Sequence, residues 1–547
     1  MQYRNILFKK KNKEYFLKDF AIESKKLNFE KRKPLDNFIV KNQSHRNFLI
    51  KNTYKYSLKL VKLINQDLRC NYKLDHKLKD LNRFLMPWAH LYVALVYSIY
   101  KRSQELKKKN YKLVRQNYKF RNLKIDKSSY QSFNLYYEMW KDIFFYPNKK
   151  LEKNKIFFYT AFNNEYKLTN ISKYFFSQFS IFFGKIFHKK IILFDYNFGI
   201  KNTVKLILKS GFKYCFFFPK VKKYRNLKIR SFPTKHTFND KFLSLLFDYY
   251  KKYIFSDYMN ILFYSRKEKN DSKLLTGNLM NLSPLYRDFF LINSQIKIYG
   301  IQHGGGYCVD QNNLSEIIEK KISNNFVSWG KNFNANKIAM PEILKKEYFK
   351  TNQTIFYVST SPPRCLLRFD DNIFPQYVKN NYFKDKYEII EQLSKNKLKT
   401  IVRLDKNDYW SHNEYLNKKI KFRNIIIDDG KFNFVKNLKK SSLNLFDYLG
   451  STYLLSLALN KPTIIYCNKK FLFILKRKKK FFDALKKKSI FFDDLNKLTH
   501  FLEKMDDEEK IKKWWENSKL QFTLKKFNQE FRYSSKNWDK EIIKKFS

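Results

Sequence analysis

Glycine and proline are scarce in this chain, at 11 of each among 547 residues. That argues against collagen-like and Gly/Pro-rich low-complexity classes, and it makes any glycine cluster informative. Cysteine is also sparse: Cys70, Cys215, Cys308, Cys365 and Cys467 are scattered, with no CxxC pair. Neither a disulfide framework nor a zinc site is indicated, and a reducing compartment fits. Acids are in deficit, with 49 Asp+Glu against 112 Lys+Arg, a net charge of +63. The N-terminus, MQYRNILFKKKNKEYF, lacks the apolar core of a signal peptide. The best span candidate, FLMPWAHLYVALVYSIY (84–100), is short and carries Pro87 and His90, so it reads as a buried helix. A membrane-surface helix flanked by Lys101 and Arg102 is the second reading. No metal-ligand spacing occurs, nor GxxxxGK[ST], HExxH, GxSxG or a kinase signature set. P-loop, zinc-enzyme and hydrolase chemistries therefore lack support.

What is present is apolar material in quantity. At 44% hydrophobic and 19% aromatic the chain can bury large cores, which argues against wholesale disorder. Its length implies more than one domain, since single cores rarely exceed about 250–300 residues. AT-rich coding accounts for the abundant Lys, Asn and Phe, but less easily for the missing acids. An anionic partner or surface is the remaining reading, either the cytoplasmic face of a membrane or nucleic acid. No nucleic-acid module is visible, which puts that partner well behind.

Residues 1–150 lean helical and are rich in Lys. From 151 the texture changes to short apolar runs separated by amphipathic segments. KIILFDYNF (190–198), a helix stopped by Gly211, and FKYCFFF (212–218) read as a βαβ unit. YMNILFYS (258–265), QIKIYGI (295–301) and NNFVSWG (324–330) continue the pattern to about residue 340. A second series over 341–505 comprises QTIFYVSTS, KTIVRLD, NIIIDDG, LNLFDYLG and PTIIYC. Two parallel-sheet domains facing one cleft are predicted. The tail, 506–547, repeats apolar residues at helical spacing and reads as one amphipathic helix on the body.

Three of the 11 glycines stand together at Gly304, Gly305 and Gly306, after a strand-like run and immediately after His303. Either the backbone there approaches something closely or it needs φ > 0. The turn falls at a strand's C-terminal end, where open α/β sheets bind ligands. An imidazole on that loop suits a general base toward an attacking hydroxyl, or a hydrogen bond to phosphate; a structural histidine is the plainer alternative. Glu316 and Glu319 stand one turn apart on the following helix and can hold the loop from behind.

In the second half, Asp447 ends a strand, Gly450 turns the chain, and Ser451 and Thr452 open a short apolar helix. Hydroxyls and N–H groups at such a helix start form a ready anion site, although Ser451 as a simple helix cap is the commoner role. Ser359, Thr360 and Ser361 and Arg403 are predicted on the same sheet edge. Arg403 there suits phosphate or a salt bridge, and the loop Asp408, Tyr409 and Trp410 offers a stacking surface or a packed anchor.

QHGGGY (302–307), the Glu-bearing helix and ISNNFVSWG (322–330) together resemble the HGGxYG…Glu…ISDxFxxWGW hallmark of a transferase family. That family serves O-antigen and other surface-carbohydrate biosynthesis. RFLMPWAHLYVALVYSIYKR (83–102) is similar to its "GPW" helix. RLDKNDYW (403–410) and DYLGSTYLLSLALNKPTI (447–464) are similar to its Arg/Asp-Tyr and ST…PTI blocks. Four departures stand out: Cys308 for the second motif glycine, Asn324 for aspartate, Lys331 for tryptophan, and Ser456 where the ST block carries Glu. The resemblance implies a GT-B-like fold of two facing Rossmann-type domains and a nucleotide-activated sugar donor used without a bound metal or cofactor. It implies a lipid-linked or glycan acceptor and a cytoplasmic enzyme peripheral at the inner face of the membrane. On that reading His303 is the base, and Gly304 to Gly306, Tyr307 and Glu316 form the loop. Ser359, Arg403, Asp447, Ser451 and Thr452 then hold the donor. A glycerol-phosphate-type transferase on the same fold is the alternative. The expected geometry sets His303 and the hydroxyl pair at 451–452 face to face across an interdomain gap.

Overall fold

The computed structural model describes residues 7–11, 13–17, 32–35, 40, 42–72, 81–114, 133–146, 156–158, 191–194, 199–216, 227–229, 238–254, 273–277, 279, 296–330, 340–341, 352–362, 368–370, 373, 377–405, 412–420 and 422–546. The segment 258–265, the loop Asp408, Tyr409 and Trp410, and Lys331 lie outside them.

Mixed α/β architecture with parallel sheets follows from the apolar runs. Leu443–Phe446 and Thr463–Tyr466 are buried at every position, as expected for strands covered on both faces. The second-half sheet runs Ile425–Asp428, Lys399–Arg403, Thr354–Val358, Leu443–Phe446, Thr463–Tyr466, Phe491–Phe492, with every pairing parallel. Counted along the chain that order is 3-2-1-4-5-6, the doubly wound arrangement. Its reversal point lies between Thr354–Val358 and Leu443–Phe446, where Val358 pairs with Phe446. Ligands of such sheets sit just beyond the carboxyl ends of these two strands.

The first-half sheet runs Tyr214–Phe216, Ile191–Phe194, Lys273–Thr276, Lys297–Ile301, Asn325–Val327, again all parallel. Counted among the described strands its order is 2-1-3-4-5, the other common doubly wound arrangement. The helix Gly199–Lys209 ends before Gly211, whose φ of 56° supplies the left-handed stop.

Helices Gln43–Tyr72, Leu81–Lys108, Phe133–Phe144 and Lys241–Tyr253 build a core around Trp88, Tyr92, Trp140 and Tyr250 that takes in Leu274 and Ile298 of the first sheet. The apolar run 84–100 is interior to that core, and no helix among the described residues is long and apolar enough to cross a membrane. Leu7–Lys10, Lys13–Leu17 and Arg32–Leu35, ahead of these helices, and Lys112–Leu113, after the second, form a small sheet that a helical reading of residues 1–150 does not contain. Lysine-rich strands of two to five residues offer too little alternation to betray it.

The tail also differs from the single helix expected. Asp507 accepts from the Lys510 N–H and Asn517 from the Leu520 N–H, so each starts a new helix. The result is Glu508–Trp515, Ser518–Phe531 and Trp538–Phe546. The last returns to the first sheet: the Tyr214 hydroxyl donates to the Ile542 carbonyl at 3.1 Å, and Lys273 Nζ to the Phe546 carbonyl at 2.9 Å. One apolar cluster therefore joins Ile301 and Val327 of the first sheet to Phe446 of the second through Phe531 and Trp538.

Candidate functional site

The strand Lys297–Ile301 delivers the chain to Gln302 and His303 at its carboxyl end. Gln302, only 1% exposed, fastens the glycine loop. Its Nε2 donates to the Gly304 carbonyl at 3.0 Å, and its Oε1 accepts from the Trp329 N–H at 3.1 Å. None of Gly304, Gly305 and Gly306 has positive φ, so left-handed backbone is not why they are glycine. Close approach is. A Cβ on Gly305 would overlap the Gly450 carbonyl and come 3.0 Å from the Ser451 nitrogen. The triple-glycine loop therefore touches the start of the Ser451–Ala458 helix, and the expected gap between them is closed to contact. Beyond it, Leu475 N–H donates to the Val309 carbonyl at 2.8 Å and Gln311 N–H to the Phe473 carbonyl at 2.6 Å.

Behind the loop lies the helix Leu314–Ile322, started by Asn313, whose side chain accepts from the Glu316 N–H. Its two glutamates have different work. Glu316 Oε2 accepts from the Cys308 N–H at 2.7 Å while Oε1 pairs with Lys320 at 2.8 Å, so Glu316 braces the loop backbone. Glu319, 1% exposed, accepts from the Tyr307 hydroxyl at 2.8 Å and comes within 3.6 Å of His303 Nδ1. Burial and the Glu319 charge hold the Tyr307 phenol well above its ordinary range, so it keeps its proton. The His303 side chain retains 23% exposure at the rim. Asn324, where the resembled pattern has aspartate, still supplies an acceptor: its Oδ1 takes the Ile298 N–H at 2.8 Å.

At the reversal point of the second sheet, Asp447 is buried and accepts from Tyr357 at 2.8 Å and Tyr382 at 2.9 Å, both at Oδ2. Burial pushes its carboxyl up to about 6, against the opposing pull of the Lys386 ammonium and the two phenols. Lys386 is 3% exposed; its Nζ donates to the Thr360 carbonyl at 3.1 Å and lies 4.7 Å from the Tyr382 ring centre. His412, stacked on Phe383, is pushed down to about 3 by burial and by Lys386. Tyr382 belongs to a π-helical turn, Val378–Phe383, a geometry that recurs at functional sites. Sequence reasoning does not reach Lys386, Tyr357 and Tyr382, since only the packing of the helical segment 378–394 on the sheet brings them together at Asp447.

Gly450, not Ser451, is the helix cap, and no side chain caps that helix start. Ser451 and Thr452 are both half-buried, and Thr452 Oγ1 lies 3.2 Å from the Tyr448 hydroxyl. Two other sites have internal partners. Arg403 Nη1 donates to Asp428 at 2.7 Å and to the Phe432 carbonyl at 2.6 Å, the salt-bridge role. Ser359 Oγ donates to the Arg403 carbonyl at 3.4 Å. Ser456 is fully buried with its hydroxyl 2.7 Å from Thr463 Oγ1, so it does not stand in for a cleft-facing glutamate. Among the described residues no cluster of three or more His, Cys, Asp or Glu is placed to hold a metal ion.

Cys308 stands where the resembled pattern has glycine. It has φ 63°, a conformation that costs a non-glycine residue about 1–2 kcal/mol. Burial also pushes its thiol up, which favours the neutral form. Cys308→Gly and Cys308→Ala both remove the buried sulfur, but only glycine relieves the backbone. The glycine variant is expected to be the more stable in denaturant melts, by about 1 kcal/mol. An alanine variant of equal or greater stability would refute that strain.

Residues 7–546 match the LIC12162 family transferase, and the chain belongs to that family. No curated protein matches it.

Proposed function

We propose that this transferase is a glycosyltransferase-like, GT-B-type enzyme of surface-polysaccharide biosynthesis, of the O-antigen or capsule kind, that moves a sugar or related group from a nucleotide-activated donor. The observation that carries the reading is the contact of Gly305 with Gly450 and Ser451. It sets the His303 loop beside a helix start that no side chain caps, at the reversal point of a doubly wound sheet.

The chemistry assigned to that junction is a displacement. His303 takes the proton of the acceptor hydroxyl, and the acceptor oxygen forms a bond to the donor's anomeric carbon. The bond from that carbon to the donor phosphate breaks, and the nucleoside diphosphate leaves with the electron pair. First-turn N–H groups of Ser451–Ala458, together with the Ser451 and Thr452 hydroxyls, stabilise the departing negative charge. The acceptor is a lipid-linked saccharide or glycan, and the +63 net charge keeps the enzyme peripheral on anionic lipid.

A panel of nucleotide sugars tests this by thermal shift. One donor at a hundred times its Kd adds about 2.7 kcal/mol to the stability of the native state. A panel with no stabilising member, alongside strong stabilisation by single-stranded or duplex DNA, would sink the reading. Product mass then separates sugar transfer from glycerol-phosphate transfer.

A further inference from the structure

We propose that one edge of the second sheet, the strand Ile425–Asp428 with the loop and helix after it, is the surface that docks on an anionic lipid bilayer. The inference deepens the proposed function by naming its membrane-facing surface, and it rests on that reading for the lipid-linked acceptor.

Seven large hydrophobic side chains stand exposed among the described residues, and three of them, Ile426, Phe432 and Val435, fall within ten positions. Each is between 42% and 46% exposed. Ile425–Asp428 is an edge strand, paired among the described strands with Lys399–Arg403 alone. Ile425 and Ile427 pack on the core under one face of the sheet. Ile426 therefore faces the other way, beside its register partner Ile401. The helix Phe434–Lys440 lies on that second face. Phe434 packs on the cluster that also takes Ile401, with its ring centre 5.8 Å from that of Phe356. The three exposed side chains are thus carried on one side of one sheet edge.

The loop bearing Phe432 is tied down. Buried Asp428 accepts from the Gly430 and Phe432 N–H groups at 3.0 and 3.1 Å, and Arg403 donates to the Phe432 carbonyl at 2.6 Å. Bonded backbone therefore holds a phenyl ring out in water, an arrangement that an apolar phase favours.

Arg423, Lys431, Lys436 and Lys440 are exposed in the same segment. Of the two acids in residues 423–440, Asp428 is sealed beneath Arg403, and Asp429 pairs with Lys431 at 3.0 Å. Apolar tips among cations match an anionic bilayer, whose acyl chains take the first and whose phosphates take the second. A second copy is the poorer occupant, because pairing two such edges would press like charges together. Nucleic acid would satisfy the cations but leave Ile426 and Val435, which have no stacking face, in water. With all strands parallel, the Phe432 loop leaves the sheet at the carboxyl end, as do Asp447 and the Ser451–Ala458 helix. Docking here holds the ligand end of the sheet close to a lipid-linked acceptor.

The test is sedimentation of the full chain with vesicles of phosphatidylcholine, alone or mixed with phosphatidylglycerol, at fixed salt. Wild type is expected to follow the mixed vesicles and not the neutral ones. Lys436→Gln with Lys440→Gln is expected to weaken partitioning about thirtyfold, at about 1 kcal/mol for each cation removed. Phe432→Ser with Val435→Ser is expected to weaken it on the order of tenfold at unchanged net charge. Lys519→Gln with Lys525→Gln removes the same charge from exposed positions on the Ser518–Phe531 helix. That control is expected to change partitioning by no more than about twofold, since distant surface charges are screened. Thermal melts check that each variant is folded. Wild type that ignores mixed vesicles, a control pair that loses as much as the patch lysines, or an apolar pair that loses nothing would each overturn the proposal. So would a lipid-free dimer that Phe432→Ser with Val435→Ser dissolves, or duplex DNA binding that the patch variants abolish while vesicle binding stays. Vesicle binding is read without donor or acceptor. A chain stabilised by a nucleotide sugar yet indifferent to vesicles loses this inference alone. One that takes no nucleotide sugar but docks through these residues loses the transferase reading alone.

Discussion

Gly305→Ala is expected to destabilise the protein by about 3 kcal/mol, the upper end for an overpacked contact, and to lower turnover by on the order of a hundredfold. The added methyl meets main chain, the Gly450–Ser451 peptide. Rotamer changes cannot relieve that clash. Either the loop or the Ser451–Ala458 helix must withdraw, and a displacement near 1 Å between reacting groups suffices for such a rate loss. Gly304→Ala is the control. Its methyl would meet only the Tyr307 ring, at 3.3 Å, which can yield by a few tenths of an ångström. Melting curves and donor turnover that do not separate the two variants would show that the loop–helix contact is not what these glycines serve.

The contrast also shows what can be read from the sequence and what cannot. Three glycines in a glycine-poor chain announce a close approach or a left-handed turn, and nothing local chooses between them. The partner, Gly450, is remote in the chain and becomes visible only once both sheets are assembled. Strands such as Thr354–Val358 and Thr463–Tyr466 are legible because parallel strands covered on both faces read as nearly continuous apolar runs. Register is not legible. Arg403 is rightly placed at a strand end, but pairing sets Arg403 opposite Asp428, and the acid takes the guanidinium. The same holds for Glu316 and Glu319. Both are visible as a pair one turn apart, yet only the helix's rotation decides that Glu319 faces His303. Lys386 carries no signal at all, since a lysine in an amphipathic segment of a lysine-rich chain looks like solvated surface.

His303→Ala is expected to lower kcat by about 10²- to 10⁴-fold, the usual contribution of a positioned general base, with little change in folding stability. The stability half of the expectation follows from its place at the rim, where 23% of the side chain is exposed and the loop is held by other groups. Gln302 fastens Gly304 and Trp329, Glu316 fastens Cys308, and the Val309 and Gln311 bonds fasten the far side. Removing the imidazole leaves all of these in place. It strips Tyr307 of one neighbour but not of its bond to Glu319. Donor binding should therefore survive, because the helix start and the Asp447 cluster lie on the other sheet. The decisive comparison is KM against kcat. A loss confined to kcat marks His303 as the group that takes the acceptor's proton. A variant that turns over at the wild-type rate removes the base from this site, and a loss confined to KM makes His303 a phosphate contact instead.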